Sequence, residues 1–234
     1  MREIVVDTET TGLDSRPVER GGTGDRIVEI ACVELFNHIP TGRHFHKYIN
    51  PERPMSADAF AIHGLSDEFL GGHPTFAKVV DDLLDFIGDA QLVIHNAEFD
   101  MRFINAELER LGRQPLAIER AVDTVQLARR RFPGARVSLD ELCKRFAIDL
   151  SVREKHGALI DVTLLAEVYL ELRGGRQPGF MLDSQAAAVT QVMGAVRGAR
   201  PQRPMPLEHC PSPEETAAHQ TLVASLNQPI WLRT

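Results

Sequence analysis

Asp7, Glu9, Asp100, Asp161 and His156 are the residues of this chain whose types and settings could do chemistry together. Asp7 and Glu9 lie two apart in a strand-like run, so their side chains leave the same face. Carboxylates held that close repel each other and favour a shared cation, and hard oxygen ligands suit Mg²⁺ or Mn²⁺ rather than zinc. Each residue also has an ordinary explanation. Asp7 and Glu9 could be solvated acids at a strand end, Asp100 an acid favoured by a helix dipole, and His156 a surface histidine titrating near roughly 6.5. Together they are the set a two-metal phosphodiesterase requires, with an imidazole as base.

The surrounding elements must bring these residues to one pocket. Glu3 to Val6 is a short, mostly β-branched run ended by Asp7 and a turn at Thr11-Gly12, and reads as a buried strand. Arg26 to Phe36 alternates, with Ile27, Glu29, Ala31, Val33 and Leu35 on one side; Arg43 to Ile49 alternates more weakly and stops at Asn50-Pro51. These three runs read as an antiparallel meander, with a polar, Gly-rich loop from Asp14 to Asp25 between the first two. From Thr75 the period turns helical, placing Phe76, Val79, Val80, Leu83, Leu84 and Ile87 on one face. Leu92-Val93-Ile94 is a second buried strand, and helices follow at 97–111, 123–131, 138–146 and 158–172, with Asp123 and Ser138 as N-caps. Asp100 falls in the first turn of one helix and Asp161 near the start of another. On a continuous helix His156 and Asp161 would stand about 140° apart, so they converge only if His156 lies on the loop ahead of it. The expected fold is α/β, a mixed sheet flanked by helices.

The 234 residues are 43% apolar, enough for a full core. Residues 1–175 read as the catalytic domain, 176–211 as a Pro- and Gly-rich linker, and 212–234 as a terminal segment. That segment opens with Ser212-Pro213-Glu214-Glu215, a good helix start, and holds the single tryptophan, Trp231, which suggests a docking peptide. Cys32, Cys143 and Cys210 have no metal-ligand spacing and their odd count argues against a disulfide framework. With no leader and no stretch near the roughly 20 apolar residues that span a bilayer, the expectation is a cytoplasmic protein without a membrane partner. The net charge of −7 looks wrong for a nucleic-acid binder. Bound cations would offset it locally, or a basic partner holds the nucleic acid; either way the isolated chain binds DNA weakly.

Three stretches, IVVDTETTGL at 4–13, LVIHNAEFDMRF at 92–103 and HGALIDVTLLAEVYL at 156–170, resemble the DnaQ-like exonucleases with four acids and a histidine, the DEDDh group. Flanking AFAIHGLSDEF at 59–69 and SLDELC at 138–143 resemble in particular the epsilon, or proofreading, subunits of bacterial DNA polymerase III. None of the four acids or the histidine is replaced.

The resemblance implies a ribonuclease H-like fold and stepwise release of 5′-nucleoside monophosphates from the single-stranded 3′ end of DNA. It implies two divalent cations, Mg²⁺ or Mn²⁺, one held by Asp7, Glu9 and Asp161, the other by Asp7 with Asp100 acting largely through water. His156 becomes the general base. Thr10, Gly12, Leu13, Asp58 and His63 would hold the terminal nucleotide, joined by Asn96, Phe99 and the ligands Asp7, Glu9 and Asp161. The implied partners are the polymerase (alpha) subunit through the tail and a sliding clamp through Gln177-Pro178-Gly179-Phe180-Met181-Leu182, with room for a small accessory subunit. Two other readings are a free-standing DEDDh nuclease trimming RNA or single-stranded DNA ends, and a subunit that mainly bridges polymerase and clamp.

Overall fold

In the computed structural model the described residues are 1–151, 157–175 and 211–225. The chain divides into two compact units, Met1–Gly179 and Phe180–Thr234. The first is built on a five-stranded sheet of order β3-β2-β1-β4-β5, formed by β1 (Arg2–Thr10), β2 (Ile27–Phe36), β3 (Ile39–Tyr48), β4 (Gln91–Ile94) and β5 (Ala121–Asp123). The first three strands are an antiparallel meander, and β4 and β5 run parallel to β1. The expected α/β fold is thus observed.

Seven helices of this unit are α1 (Ala57–His63), α2 (Asp67–Gly71), α3 (Phe76–Ile87), α4 (Ala97–Arg110), α5 (Thr124–Arg131), α6 (Leu139–Phe146) and α7 (Ala158–Leu172). Alternation along β1 decides which layer each strand residue meets. Ile4 and Val6 enter one core with α3 and α4, while Val5 enters the other with α5, α6 and α7. Asp7 and Glu9 share the parity of Val5, so they emerge on the α7 side. Glu9 lies opposite Glu29 on β2, and Asp7 lies opposite the small Ala31. At the far end of β1, Glu3 accepts a 2.6 Å hydrogen bond from the Tyr169 hydroxyl and ties the C-terminal half of α7 to the sheet.

The structure departs from the sequence pattern at several points. β3 begins at Ile39 rather than Arg43, because Asn37 and His38 both take left-handed φ (51° and 68°) and close a two-residue hairpin. α1 and α2 fill a stretch with no clear periodicity, and each is capped by a serine, Ser56 and Ser66. Asn96 turns the β4–α4 junction at φ 67°, and its side chain makes no cap hydrogen bond. In the second unit only α8 (Pro213–Ser225) is described, and Ser212 and Glu215 form the reciprocal capping box expected there (3.1 and 2.8 Å). The clamp-like hexamer, Trp231 and His156 lie outside the described residues.

Candidate active site

Asp7, Glu9 and Asp161 converge: each offers a carboxylate oxygen, and these oxygens lie within 4.8 Å of one another. Two of the three come from β1. The third comes from α7, where Asp161 sits one turn past the N-cap Gly157, 5% exposed.

Asp100 reaches the same strand end from α4. Its Oδ1 accepts from the Thr8 backbone N–H at 3.0 Å and from the Thr8 hydroxyl at 2.7 Å. Thr8 lies between Asp7 and Glu9 and points to the opposite sheet face, so it links the α4 carboxylate to the strand that carries two others. Withdrawal from water pushes the Asp7 carboxyl well above the usual carboxylate range, and the charges of Asp100, Glu9, Asp161 and Glu29 push it further. Withdrawal from water also raises Asp100, to about 7, against the opposing pull of its Thr8 bonds. Such a set resists full ionisation without added positive charge. All its donors are carboxylate oxygens, so it fits hard divalent cations.

Beside the cluster lies a cavity of about 570 Å³ that shares Glu9 with it and is lined by the neighbouring Thr8. Its walls include Thr10, Gly12, Leu13, Asp58, His63 and Phe99 from the sequence expectation. Asn96 is not among the lining residues, and Asp7, Asp100 and Asp161 stand at the cluster rather than in the wall. Leu13 is 77% exposed and gives the cavity an apolar rim. The Leu65 N–H donates to His63 Nδ1 at 3.1 Å, so a neutral His63 carries its proton on Nε2 and is a donor there.

Sequence reasoning missed Asp25, which organises the turn. Its carboxylate accepts from Thr11 Oγ1 (3.0 Å), the Asp14 N–H (3.1 Å) and the Thr23 hydroxyl, and pairs with Arg53 at 3.2 Å. A Cβ on Gly12 would stand 2.5 Å from that carboxylate, so this turn requires glycine for space. Glu29 was also missed, although a lone acid on the apolar side of the β2 alternation was its signal. It is 2% exposed, accepts from the Ala158 N–H at 3.2 Å and meets His46 Nε2 at 2.7 Å.

Residues 4–169 match the model of the family described as exonuclease. Among curated proteins, the DNA polymerase III subunit epsilon of Rickettsia felis is 47% identical over 230 residues, covering 97% of each chain. A solved structure of exonuclease X in complex with 5′-overhanging duplex DNA aligns with a TM-score of 0.54 and 26% identity, over 73% of this chain and 90% of that one. The nuclease domain of 3′hExo, a DEDDh family member bound to rAMP, aligns with a TM-score of 0.62 over 74% of this chain and 91% of that one. At 17% identity that likeness speaks to the fold alone, and the fold is the ribonuclease H-like one.

Proposed function

The chain belongs to the exonuclease family and, within it, to the DNA polymerase III epsilon subunits, and we propose that it removes mispaired 3′-terminal nucleotides as 5′-monophosphates. It is a metal-dependent 3′→5′ exonuclease that works with the polymerase III complex on DNA. The observation that carries this reading is the Asp7–Glu9–Asp161 cluster, within 4.8 Å, beside a cavity of nucleotide size.

Asp7, Glu9 and Asp161 would hold one Mg²⁺ or Mn²⁺, and Asp7, with Asp100 through water, a second. Cations held there would supply positive charge to the entering and leaving oxygens of the phosphodiester. Asp7 would serve both positions, and the Thr8 backbone N–H and hydroxyl hold Asp100 at the same strand end. His156, on the segment before α7, takes the proton from the attacking water. The turn at Thr10, Gly12 and Leu13, braced by Asp25, would face the terminal nucleotide together with Asp58 and His63 of α1, which line the same cavity. Phe99 joins this wall and Asn96 turns the chain into α4 ahead of it; Asp7, Glu9 and Asp161 meet the nucleotide through its phosphate. The polymerase subunit docks on the tail, and Gln177–Leu182 engages a sliding clamp; support for both is the sequence pattern alone.

Asp7→Ala tests the assignment. Mg²⁺- or Mn²⁺-dependent release of mononucleotides from a single-stranded 3′ end should be abolished while circular dichroism and the melting temperature report an intact fold. Unchanged activity would overturn the metal assignment.

A further inference from the structure

We propose that Glu29 is a positioning residue for the metal site: it caps α7 from the sheet and so sets the direction in which Asp161 meets Asp7 and Glu9. The inference rests on the metal site proposed above. Glu29 stands directly opposite Glu9 in the β1–β2 ladder. Like charges in that relation destabilise a sheet, and burying a second carboxylate there adds a desolvation cost. Two contacts account for its presence.

The first is to α7. Its N-cap is Gly157, which has no side chain to accept from the exposed N–H groups of the first turn, and no side-chain cap is made there. Glu29 Oε2 takes that part from another element, accepting from the Ala158 N–H at 3.2 Å. Ala158 is the first residue of the helix and Asp161 lies three positions on, on the same face. Anchoring the Ala158 N–H therefore fixes both the height and the rotation of the turn that carries Asp161. The second contact is to β3, where His46 Nε2 lies 2.7 Å from Glu29 Oε1 and orients the carboxylate from the other side. His46 is itself packed edge-on against Tyr48, with ring centroids 4.8 Å apart. The chain from β3 through His46 and Glu29 to the α7 backbone ends at a proposed ligand, the arrangement by which outer groups set the affinity of a metal site.

Reach and charge can be separated by substitution. Glu29→Gln keeps the length and an accepting oxygen for Ala158 but loses the charge, and its amide can donate to a neutral His46. Glu29→Asp keeps the charge but is one methylene short of the helix. Tyr169→Phe removes another tether of α7, the bond to Glu3, far from the ligands, and serves as the control for loosening of the helix in general. Mn²⁺ binding to the metal-free full-length chain, read by isothermal titration calorimetry, should weaken on the order of tenfold in Glu29→Asp. It should stay within about threefold of the parent in Glu29→Gln and in Tyr169→Phe, even where Tyr169→Phe melts at lower temperature. Equal Mn²⁺ affinity in Glu29→Asp and the parent would overturn the proposal, as would equal weakening in Tyr169→Phe, or Glu29→Gln as the weaker of the two Glu29 variants. Absence of Mn²⁺ binding by the parent would instead count against the metal site itself.

Discussion

Burial and neighbouring acids raise the pKa of two of the carboxyls at this site. Asp7 and Asp100 both titrate higher in the fold than in the unfolded chain, Asp100 at about 7 against an ordinary 3.8. Between those values the folded protein binds protons that the unfolded chain has released. Stability is therefore fully present below the unfolded value and falls as pH rises through about 7. The metal-free protein should lose melting temperature steadily from about pH 5 to pH 8, a change on the order of a few kcal/mol, and saturating Mn²⁺ should restore it at the alkaline end. Differential scanning calorimetry across that range checks this; a flat or rising profile in the metal-free protein would contradict it. The individual acids were legible in the sequence because the two-residue spacing in β1 and the first turn of each helix define where a carboxylate can point. The bracing residues were not: Asp25 looked like part of a polar loop, and only its contacts with Thr11, Asp14, Thr23 and Arg53 distinguish it.

At the level of elements, legibility followed the strength of local signals. α5 and α6 start where their caps predict, with Asp123 accepting from the Val125 N–H at 2.8 Å and Ser138 from the Glu141 N–H at 3.4 Å. α1 carries Asp58 and His63 to the cavity but is only seven residues long, too short to display a period. The first half of β3 was hidden by Pro40 and Gly42, which weaken a strand pattern; an edge strand tolerates them, since one side of its ladder is unpaired. β5, at three residues, is shorter than any pattern of alternation can reveal, and it is the parallel pairing with β4 that makes it a strand. α7 is the element on which the site depends most. Glu29 ties its start to β2 and Glu3 ties Tyr169 near its end to β1, and neither contact has a signal in local periodicity, since each spans more than a hundred positions.

For the whole molecule, the acidic balance of −7 fits a chain that receives a DNA end from a partner rather than gripping duplex by itself. Among the described residues no helix is long and apolar enough to cross a membrane. The helix α8, with its capping box, begins the segment proposed to meet the polymerase subunit. Deleting residues 206–234 should end co-purification with that subunit while mononucleotide release from single-stranded DNA persists; retained co-purification would place the docking surface elsewhere. The composition shift after Gly175 set the first unit apart from a tail, and docking of that tail on the polymerase subunit is proposed from its sequence pattern. The most direct test of the central claim is the product pattern from a primer–template with a mispaired 3′ end. The full-length chain with Mg²⁺ should release 5′-nucleoside monophosphates one at a time from that end, with no release after chelation. Internal cuts, 3′-monophosphate products, or release that survives chelation would contradict it.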